Sequence, residues 1–434
     1  MNVIKPRIAS GFPEYLPEEQ IEFNRLLDIV RDVYEKYGFS PIDTPDLELR
    51  EILLAKGGGE TDQQVYDFTR GKNDFVMRFD LTVPLARYAA QHENELTFPF
   101  RRYHIAKVHR AERAQAGRFR EFYQCDIDII GTNSSVVDAE IPAVINDIFG
   151  KFNFGEFTIN INDRRILNGF FASIGLADKK TEVMRLVDKI DKISLDDFRQ
   201  ELRELGLDES QSEKLIEFTK ISGDNKATLD QLANIGIEDS EYIAGLENLQ
   251  TVVKTLQIFK VPENRFKVNL KIARGLDYYT GTVYETMLDD HPEVGSVCSG
   301  GRFDNLASHY TKTDLPGVGI SIGLSRLFYK LREIDVIKAD AKSPASVVVL
   351  PMSDNEVAFA AKIAQTLREN NISNILYTEP GKFDKKMRYA DRMGFKYALI
   401  IGEIEVKEGT LTVKKMLTGE TSNISFNDIN NFDW

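Results

Sequence analysis

Phe100-Arg-Arg-Tyr-His-Ile-Ala-Lys-Val-His-Arg110 and Arg118-Phe-Arg-Glu-Phe-Tyr-Gln-Cys-Asp-Ile-Asp-Ile-Ile130 are two strand-like runs joined through Ala111-Glu112-Arg113 and the short loop Ala114-Gln-Ala-Gly117. Their β-branched and aromatic content favours extended backbone, and so short a connection pairs them antiparallel. In the second run the two-residue period puts Phe122, Gln124, Asp126 and Asp128 on one face and Tyr123, Cys125, Ile127 and Ile129 on the other. The second set reads as core. The first offers an aromatic platform followed by polar tips, as a ligand site does. Arg101 to Arg120 carries seven cationic side chains against Glu112 alone, a net +6 within an acidic protein. A solvated face gives the same charge count; arginines on both arms of one strand pair make a rigid basic floor.

Upstream, Phe23, Leu26, Leu27, Val30, Val33, Tyr34 and Tyr37 recur at three- and four-residue steps, predicting a helix from about Pro17 to Tyr37 that Gly38 stops. Pro41 and Pro45 interrupt the extended segment Phe39 to Glu48 and confine it to an edge or interface. Gln64 to Phe68 and Asp74 to Arg78 read as further strands, Asp138 to Lys151 as a helix and Phe157 to Ile161 as a strand. From Arg164 to Gln257 the pattern turns helical and acidic, with Glu201, Glu204, Asp208, Glu209, Glu213 and Glu217, as an inserted helical domain would. Strands resume at Phe266 to Ile272, Thr280 to Tyr284, Gly295 to Ser299 and Val318 to Ile322, and a helix from Gly323 to Arg332 closes the unit. Lys338 to Pro344 has linker composition. Beyond it Val347 to Leu350, Asn374 to Thr378 and Tyr397 to Ile401 are strands, Asn355 to Asn370 and Lys382 to Met393 helices, and Glu405 to Met416 a hairpin turning at Glu408-Gly409. The expected organisation is an α+β core over residues 1–335 with a helical insertion at about 164–257, a linker at 336–344 and an α/β domain at 345–434.

A chain of 434 residues is long enough for two or three domains. Its mean hydropathy of −0.30 is that of an ordinary water-soluble protein. No apolar run approaches the ~18 residues of a membrane span, and Met1 to Ser10 has no apolar signal core. The expected compartment is the cytoplasm. Cys125 and Cys298 are too few for a disulfide framework or a four-cysteine zinc site. The net charge of −13 argues against a nucleic-acid coat protein. Gly-x-x-x-x-Gly-Lys-Ser/Thr and His-Glu-x-x-His are both absent, and the five histidines make no metal spacing with the cysteines. Gly317-Val-Gly319-Ile-Ser-Ile-Gly323 has the wrong spacing for a dinucleotide fingerprint and reads as a strand entering a helix.

Ala273-Arg-Gly-Leu-Asp-Tyr-Tyr-Thr-Gly-Thr-Val-Tyr-Glu285 sets a cation, a carboxylate and paired phenols ahead of a strand-favouring run. A guanidinium beside phenols suits an anionic group held near a flat ring; a buried strand whose tyrosines find local partners gives the same pattern. Arg326 falls in the first turn of its helix, where a cation is unfavourable unless an anion lies nearby.

Arginines on antiparallel strands and at a helix start, without a P-loop, resemble the class II aminoacyl-tRNA synthetases. The strand at Pro45 resembles their motif 1, Arg110 to Phe122 motif 2, and Gly319 to Arg326 motif 3. Within that class, Arg274-Gly-Leu-Asp-Tyr-Tyr-Thr280, Leu81-Thr-Val-Pro-Leu-Ala-Arg-Tyr88 and Cys298-Ser-Gly-Gly-Arg-Phe-Asp-Asn-Leu306 look like the histidyl-tRNA synthetase family, along essentially the whole chain. The resemblance implies an antiparallel-sheet catalytic core with a helical insertion, a C-terminal α/β anticodon-binding domain, and a homodimer formed through the Pro45 region. It implies ATP with Mg2+, L-histidine and tRNA(His) as substrates, no protein-caged metal and no membrane partner. The rival reading is a histidine-biosynthesis regulatory paralogue, which shares this fold without charging tRNA and typically loses the Arg274 motif and the terminal domain.

The same resemblance assigns roles. Arg110 and Arg274 are the catalytic pair, Arg110 touching the α-phosphate and substrate carboxylate and Arg274 approaching the α-phosphate as the carboxylate attacks. Arg326 covers the adenine and reaches the terminal phosphates, Phe122 stacks on the other adenine face, and Glu112 either reads the adenine edge or helps hold magnesium. Asp80, Thr82 and Gln124 bind the α-ammonium. Asp128 and Tyr279, with Tyr278 beside them, bracket the imidazole nitrogens. Asp80 and Asp128 stand where some relatives carry Glu. Gln115 and Gly117 meet the tRNA acceptor end. Lys385 and Arg388, within a net +4 stretch from Lys382 to Lys396, meet anticodon-stem phosphates.

Overall fold

The computed structural model describes residues 3–55, 64–113, 117–190, 193–272 and 279–434. The chain divides into two compact units, one made of residues up to Pro13 with Asp28–Ile337, the other of Glu14–Leu27 with Lys338–Trp434.

The apolar steps upstream form α1 (Pro17–Lys36), and Gly38, at φ 76°, adopts the left-handed backbone that ends it. Pro41 leaves only a two-residue strand, β1 (Ser40–Pro41), at the sheet edge. Then come β2 (Leu47–Leu49), α2 (Arg50–Leu53), β3 (Asp67–Arg70), β4 (Asn73–Met77) and α3 (Thr82–Gln91). α3 lies where the sequence offered a motif but no helix signal. Its start is set instead by the Asp80 carboxylate, which accepts from the Val83 amide at 3.1 Å, while Pro84 sits in the first turn, where a missing N–H is tolerated.

The opening pair becomes β5 (Phe100–His109) and β6 (Glu121–Ile130), antiparallel over their full length. Next are α4 (Ser135–Phe152) and β7 (Phe157–Asp163). The acidic stretch is helical, as α5 (Arg164–Ser173), α6 (Lys180–Val187), α7 (Leu195–Glu204), α8 (Glu209–Lys220), α9 (Asn225–Ala233) and α10 (Ser240–Ile258). It is not detached: α10 packs on α4, α5 and β7. The unit closes with β8 (Phe266–Val268), β9 (Thr282–Leu288), β10 (Ser296–Phe303), β11 (Gly317–Ile322) and α11 (Leu324–Glu333).

Eight strands form one sheet in the order β1-β5-β6-β11-β10-β9-β7-β8, parallel only at its outer pairs, β1 with β5 and β7 with β8. A small antiparallel sheet, β2-β4-β3, stands apart from it. Cys125, Ile127 and Ile129 are fully buried, as the two-residue period required, and the Tyr34 hydroxyl donates to the Cys125 carbonyl at 2.9 Å.

The second unit contains β12 (Val347–Pro351), α12 (Val357–Glu369), β13 (Asn374–Leu376), α13 (Phe383–Met393), β14 (Tyr397–Ile401), α14 (Glu403–Glu408), β15 (Thr410–Lys415) and β16 (Thr421–Ser425). Its sheet runs β13-β12-β14-β15-β16. The expected hairpin at Glu408-Gly409 is corrected here. Glu403–Glu408 is helical because Glu405 caps the Gly402 amide at 2.9 Å, and Gly409, at φ 66°, ends that helix rather than turning two strands. The real hairpin joins β15 to β16 and turns past Gly419.

Candidate active site

The sheet places the predicted residues on adjacent strands. Across β5, β6 and β11, one rung of the ladder holds Arg102, Asp128 and Gly319, and the next holds His104, Asp126 and Ser321. β10 continues them with Gly301 and Ser299. Facing residues on neighbouring strands share a face, so these side chains converge.

Above this floor lies a cleft of about 410 Å³ lined by Arg110, Glu112, Phe122, Gln124 and Arg326. All five were candidates from the sequence, and Gly117 lies on the same wall. Arg110 is held by Phe79, whose carbonyl accepts from Nε at 3.1 Å, and its guanidinium lies 5.2 Å from the Phe122 ring centroid. Arg326 Nη2 donates to the Val294 carbonyl at 3.3 Å from the first turn of α11. The cleft therefore carries two fixed guanidiniums and an aromatic face, the furniture of a site for an anion joined to a flat ring.

Beneath the cleft is a buried ionic cluster. Asp80, Asp126, Asp128 and Arg102 are 4%, 2%, 3% and 0% exposed. Arg102 Nη2 lies 2.5 Å from Asp128 Oδ2 and donates to the Leu81 carbonyl at 3.1 Å. Gln124 Nε2 donates to Ser321 Oγ at 2.6 Å. Several polar atoms here have no hydrogen-bond partner: Asp80 Oδ2, Gln124 Oε1, Asp126 Oδ1, and Nε and Nη1 of Arg102. Burial pushes the acids up, Asp80 to about 6, Asp126 to about 7 and Asp128 to about 8, and outweighs the opposing pull of Arg102. Buried groups left without partners are costly unless something else satisfies them. Their concentration under one cleft makes it the candidate binding site.

Glycines shape the floor. A side chain at Gly319 would strike Asp128 Oδ1, and a Cβ at Gly301 would stand 3.0 Å from the Tyr279 ring. Gly319 and Gly301 face each other across β11 and β10, so Asp128 and Tyr279 lie over neighbouring glycines of one rung. Tyr279 also packs against the cluster containing Leu85 and Phe303. Thr82, half-buried, opens α3 beside Asp80.

Arg274, Tyr278 and Gln115 lie outside the described residues. Lys385 and Arg388 are exposed on α13 of the second unit, as are Lys382, Arg392 and Lys396 of the same basic stretch. Lys386 is not: it is buried and donates to the Pro351 carbonyl, a structural lysine. Among the described residues no three His, Cys, Asp or Glu side chains could hold a metal ion, and no helix is long and apolar enough to cross a membrane.

Sequence reasoning missed Arg102 and Ser321 as members of the site and placed Asp126 on the ligand face without giving it a role. Arg102 and Ser321 needed the strand register.

A histidyl-tRNA synthetase family model matches residues 11–327, and an anticodon binding domain model matches residues 346–432. A histidine–tRNA ligase of Clostridium tetani is 52% identical over 430 residues, spanning 98% of each chain. One of Stenotrophomonas maltophilia is 45% identical over 98% of this chain and 96% of its own. The crystal structure of histidyl-tRNA synthetase from Nostoc sp. PCC 7120 superposes with a TM-score of 0.93 at 38% identity, covering 99% of this chain and all of that one. An ATP phosphoribosyltransferase regulatory subunit/histidyl-tRNA synthetase from Bacillus halodurans, at 20% identity and a TM-score of 0.77, shares the fold alone. With catalytic and anticodon-binding regions both matched along nearly the whole chain, this protein belongs to the histidyl-tRNA synthetase family of class II aminoacyl-tRNA synthetases.

Proposed function

We propose that the cleft over β6, β10 and β11 is where this histidine–tRNA ligase joins L-histidine to ATP, as histidyl-adenylate with release of pyrophosphate. The histidyl group then passes to the 3′ end of tRNA(His), releasing AMP. One observation carries the placement: Gln124 and Ser321 belong both to the cleft holding Arg110, Phe122 and Arg326 and to the buried acidic cluster below it. A nucleotide above and an amino acid below would meet there.

ATP enters as its Mg2+ complex. Phe122 and Arg326 sandwich the adenine, Arg110 and Arg274 neutralise the α-phosphate, and Glu112 meets either the adenine edge or the magnesium. The histidine carboxylate is already a nucleophile at neutral pH, so no general base is required. Rate enhancement comes from positioning and from cations placed where charge develops. Asp80 Oδ2 and Gln124 Oε1 are acceptors for the α-ammonium, with Thr82 beside them. Asp128, pushed up to about 8 by burial, meets one imidazole nitrogen and Tyr279 the other, with Tyr278 as a further contact. An isostere without ring nitrogens would leave both unpaired.

Gln115 and Gly117 face the acceptor end of the tRNA, Lys385 and Arg388 its anticodon stem. The enzyme acts as a homodimer, joined through the Pro45 region, in the cytoplasm. Histidine-dependent ATP–pyrophosphate exchange tests the reading: it should be present, and Arg274→Ala should slow it by about two orders of magnitude or more while histidine still binds. Absence of exchange would favour the regulatory paralogue. Unchanged turnover in the variant would remove Arg274 from the chemistry.

A further inference from the structure

Tyr279 presents a problem of placement. Its phenol can sort amino acids by their ring nitrogens only if it stands at one fixed distance from Asp128. Yet β9 starts at Thr282, so Tyr279 lies ahead of the ladder that would hold its backbone. The structure supplies the missing anchor through two neighbours that the reaction does not otherwise use.

The Thr280 amide donates to the Arg302 carbonyl at 2.8 Å, and the Thr280 hydroxyl donates to Asp304 Oδ2 at 2.5 Å. These two bonds straddle Phe303, the last residue of β10, whose apolar cluster also receives the Tyr279 ring. Gly281 is held as well, its carbonyl accepting from the Arg164 amide at 3.0 Å. The chain therefore enters β9 along a set path, and the Tyr279 ring is laid over Gly301, where a Cβ would stand 3.0 Å away. Asp304 lines the cleft beside Arg165, not the one holding Arg110 and Arg326. Its Oδ1 is buried with no hydrogen-bond partner. An acid satisfied so incompletely adds little to the fold. A hydroxyl bound to a carboxylate, by contrast, makes a short and strong tether.

We infer that Thr280 and Asp304 are positioning residues, whose hydrogen bond fixes the chain beside Tyr279 and so sets its phenol at the imidazole opposite Asp128. The inference rests on the assignment of Tyr279 to that ring. It adds that selection of histidine depends on two side chains that act through the tyrosine and not by touching the substrate.

Variants of the full-length enzyme assayed by ATP–pyrophosphate exchange test it. Thr280→Val keeps the shape of the side chain and removes its hydroxyl. It should raise the KM for histidine roughly tenfold, the scale of one charge-assisted hydrogen bond lost. kcat and the KM for ATP should stay within about twofold, as for an interaction made equally in ground and transition states. Thr280→Ser, which keeps the hydroxyl, should restore the histidine KM. Asp304→Ala should match Thr280→Val, and the double variant should be no worse than either, because both remove the same bond. In a Tyr279→Phe background the phenol is already gone, so Thr280→Val should add less than about twofold. The tether is overturned if Thr280→Val leaves the histidine KM unchanged or raises the ATP KM in step. It is equally overturned if Thr280→Val keeps its full effect in the Tyr279→Phe background. Tyr279→Phe alone separates this failure from that of the underlying assignment. A raised histidine KM there with a silent Thr280→Val removes only the tether, whereas an unchanged KM removes the role of Tyr279 and the tether with it.

Discussion

The catalytic unit contains two buried ionic clusters, and they are built to opposite rules. In one, Asp138, Asp163, Arg302, Asn248 and Thr282 are 0%, 0%, 5%, 7% and 0% exposed. Arg302 pairs with Asp138 and gives Nη1 to the Thr132 carbonyl at 2.9 Å. Asn248 Nδ2 reaches Thr282 at 2.7 Å and Asp163 at 2.9 Å, Thr282 donates to Asp138 at 2.6 Å, and Arg165 pairs with Asp163 at 2.6 Å. None of these five residues has a buried polar side-chain atom without a partner. In the other, three acids surround Arg102, and acceptors and donors alike stay unsatisfied. Burial and charge are similar; completion is not. A closed network joins α4, α5 and α10 to β9 and β10 and has no capacity left for a ligand. An open one holds its polar groups ready for something that is not part of the chain.

The sharpest way to break this contrast is to cut each cluster at one acid. Asp138→Ala strands Arg302 and should destabilise the protein by about 3–5 kcal/mol in denaturant unfolding. Asp128→Asn replaces an acid that burial already drives to its neutral form at about 8, so stability should hold or rise while the KM for histidine increases more than that for ATP. Equal losses of stability in both variants would erase the distinction. Gly319→Ala comes next: its methyl group would collide with Asp128 and with the Ile127 carbonyl, raising the histidine KM by an order of magnitude or more and costing roughly 1–3 kcal/mol of stability or more through overpacking. An unaltered histidine KM would show that the floor does not shape the pocket.

A smaller effect reads the open cluster's acids by pH, on top of the upward push that burial also gives Asp163 of the closed one. Asp80, Asp126 and Asp128 titrate at about 6, 7 and 8 when folded, above the unfolded aspartate value of about 3.9. The folded state thus holds their protons more tightly, and the stability these three contribute falls as pH rises from about 4 to 8. The unliganded melting temperature should follow that slope, and Asp128→Asn should flatten it. A melting temperature that rises over the same interval would contradict the open cluster's electrostatics.

Much of this was readable from residues alone, for reasons that differ by element. Strand β6 declares both its faces through strict alternation, so the set Tyr123, Cys125, Ile127 and Ile129 and the polar set opposite could be separated without a structure, though Tyr123 at the strand's outer end is only half-buried. Arg326 was conspicuous as a cation at a helix start. What stayed hidden depends on register or on distance along the chain. Asp138 and Arg302 are 164 residues apart, and no local pattern joins them. Arg102 looks like one more member of a basic run until β5 is aligned with β6 and it falls opposite Asp128. α3 was missed because its cap, Asp80, precedes a segment whose Thr82-Val-Pro start carries no helical period. Gly409 misled because the same left-handed glycine serves a hairpin turn and a helix end.

The most direct trial of the open cluster is a crystal structure with L-histidine and a non-hydrolysable ATP analogue bound. The α-ammonium should sit on Asp80 Oδ2 and Gln124 Oε1, the imidazole between Asp128 and Tyr279, and the adenine between Phe122 and Arg326. Histidine found instead in the 340 Å³ cleft beside Arg165, Asn248 and Arg302, with the Asp80–Asp128 cluster untouched, would contradict the account.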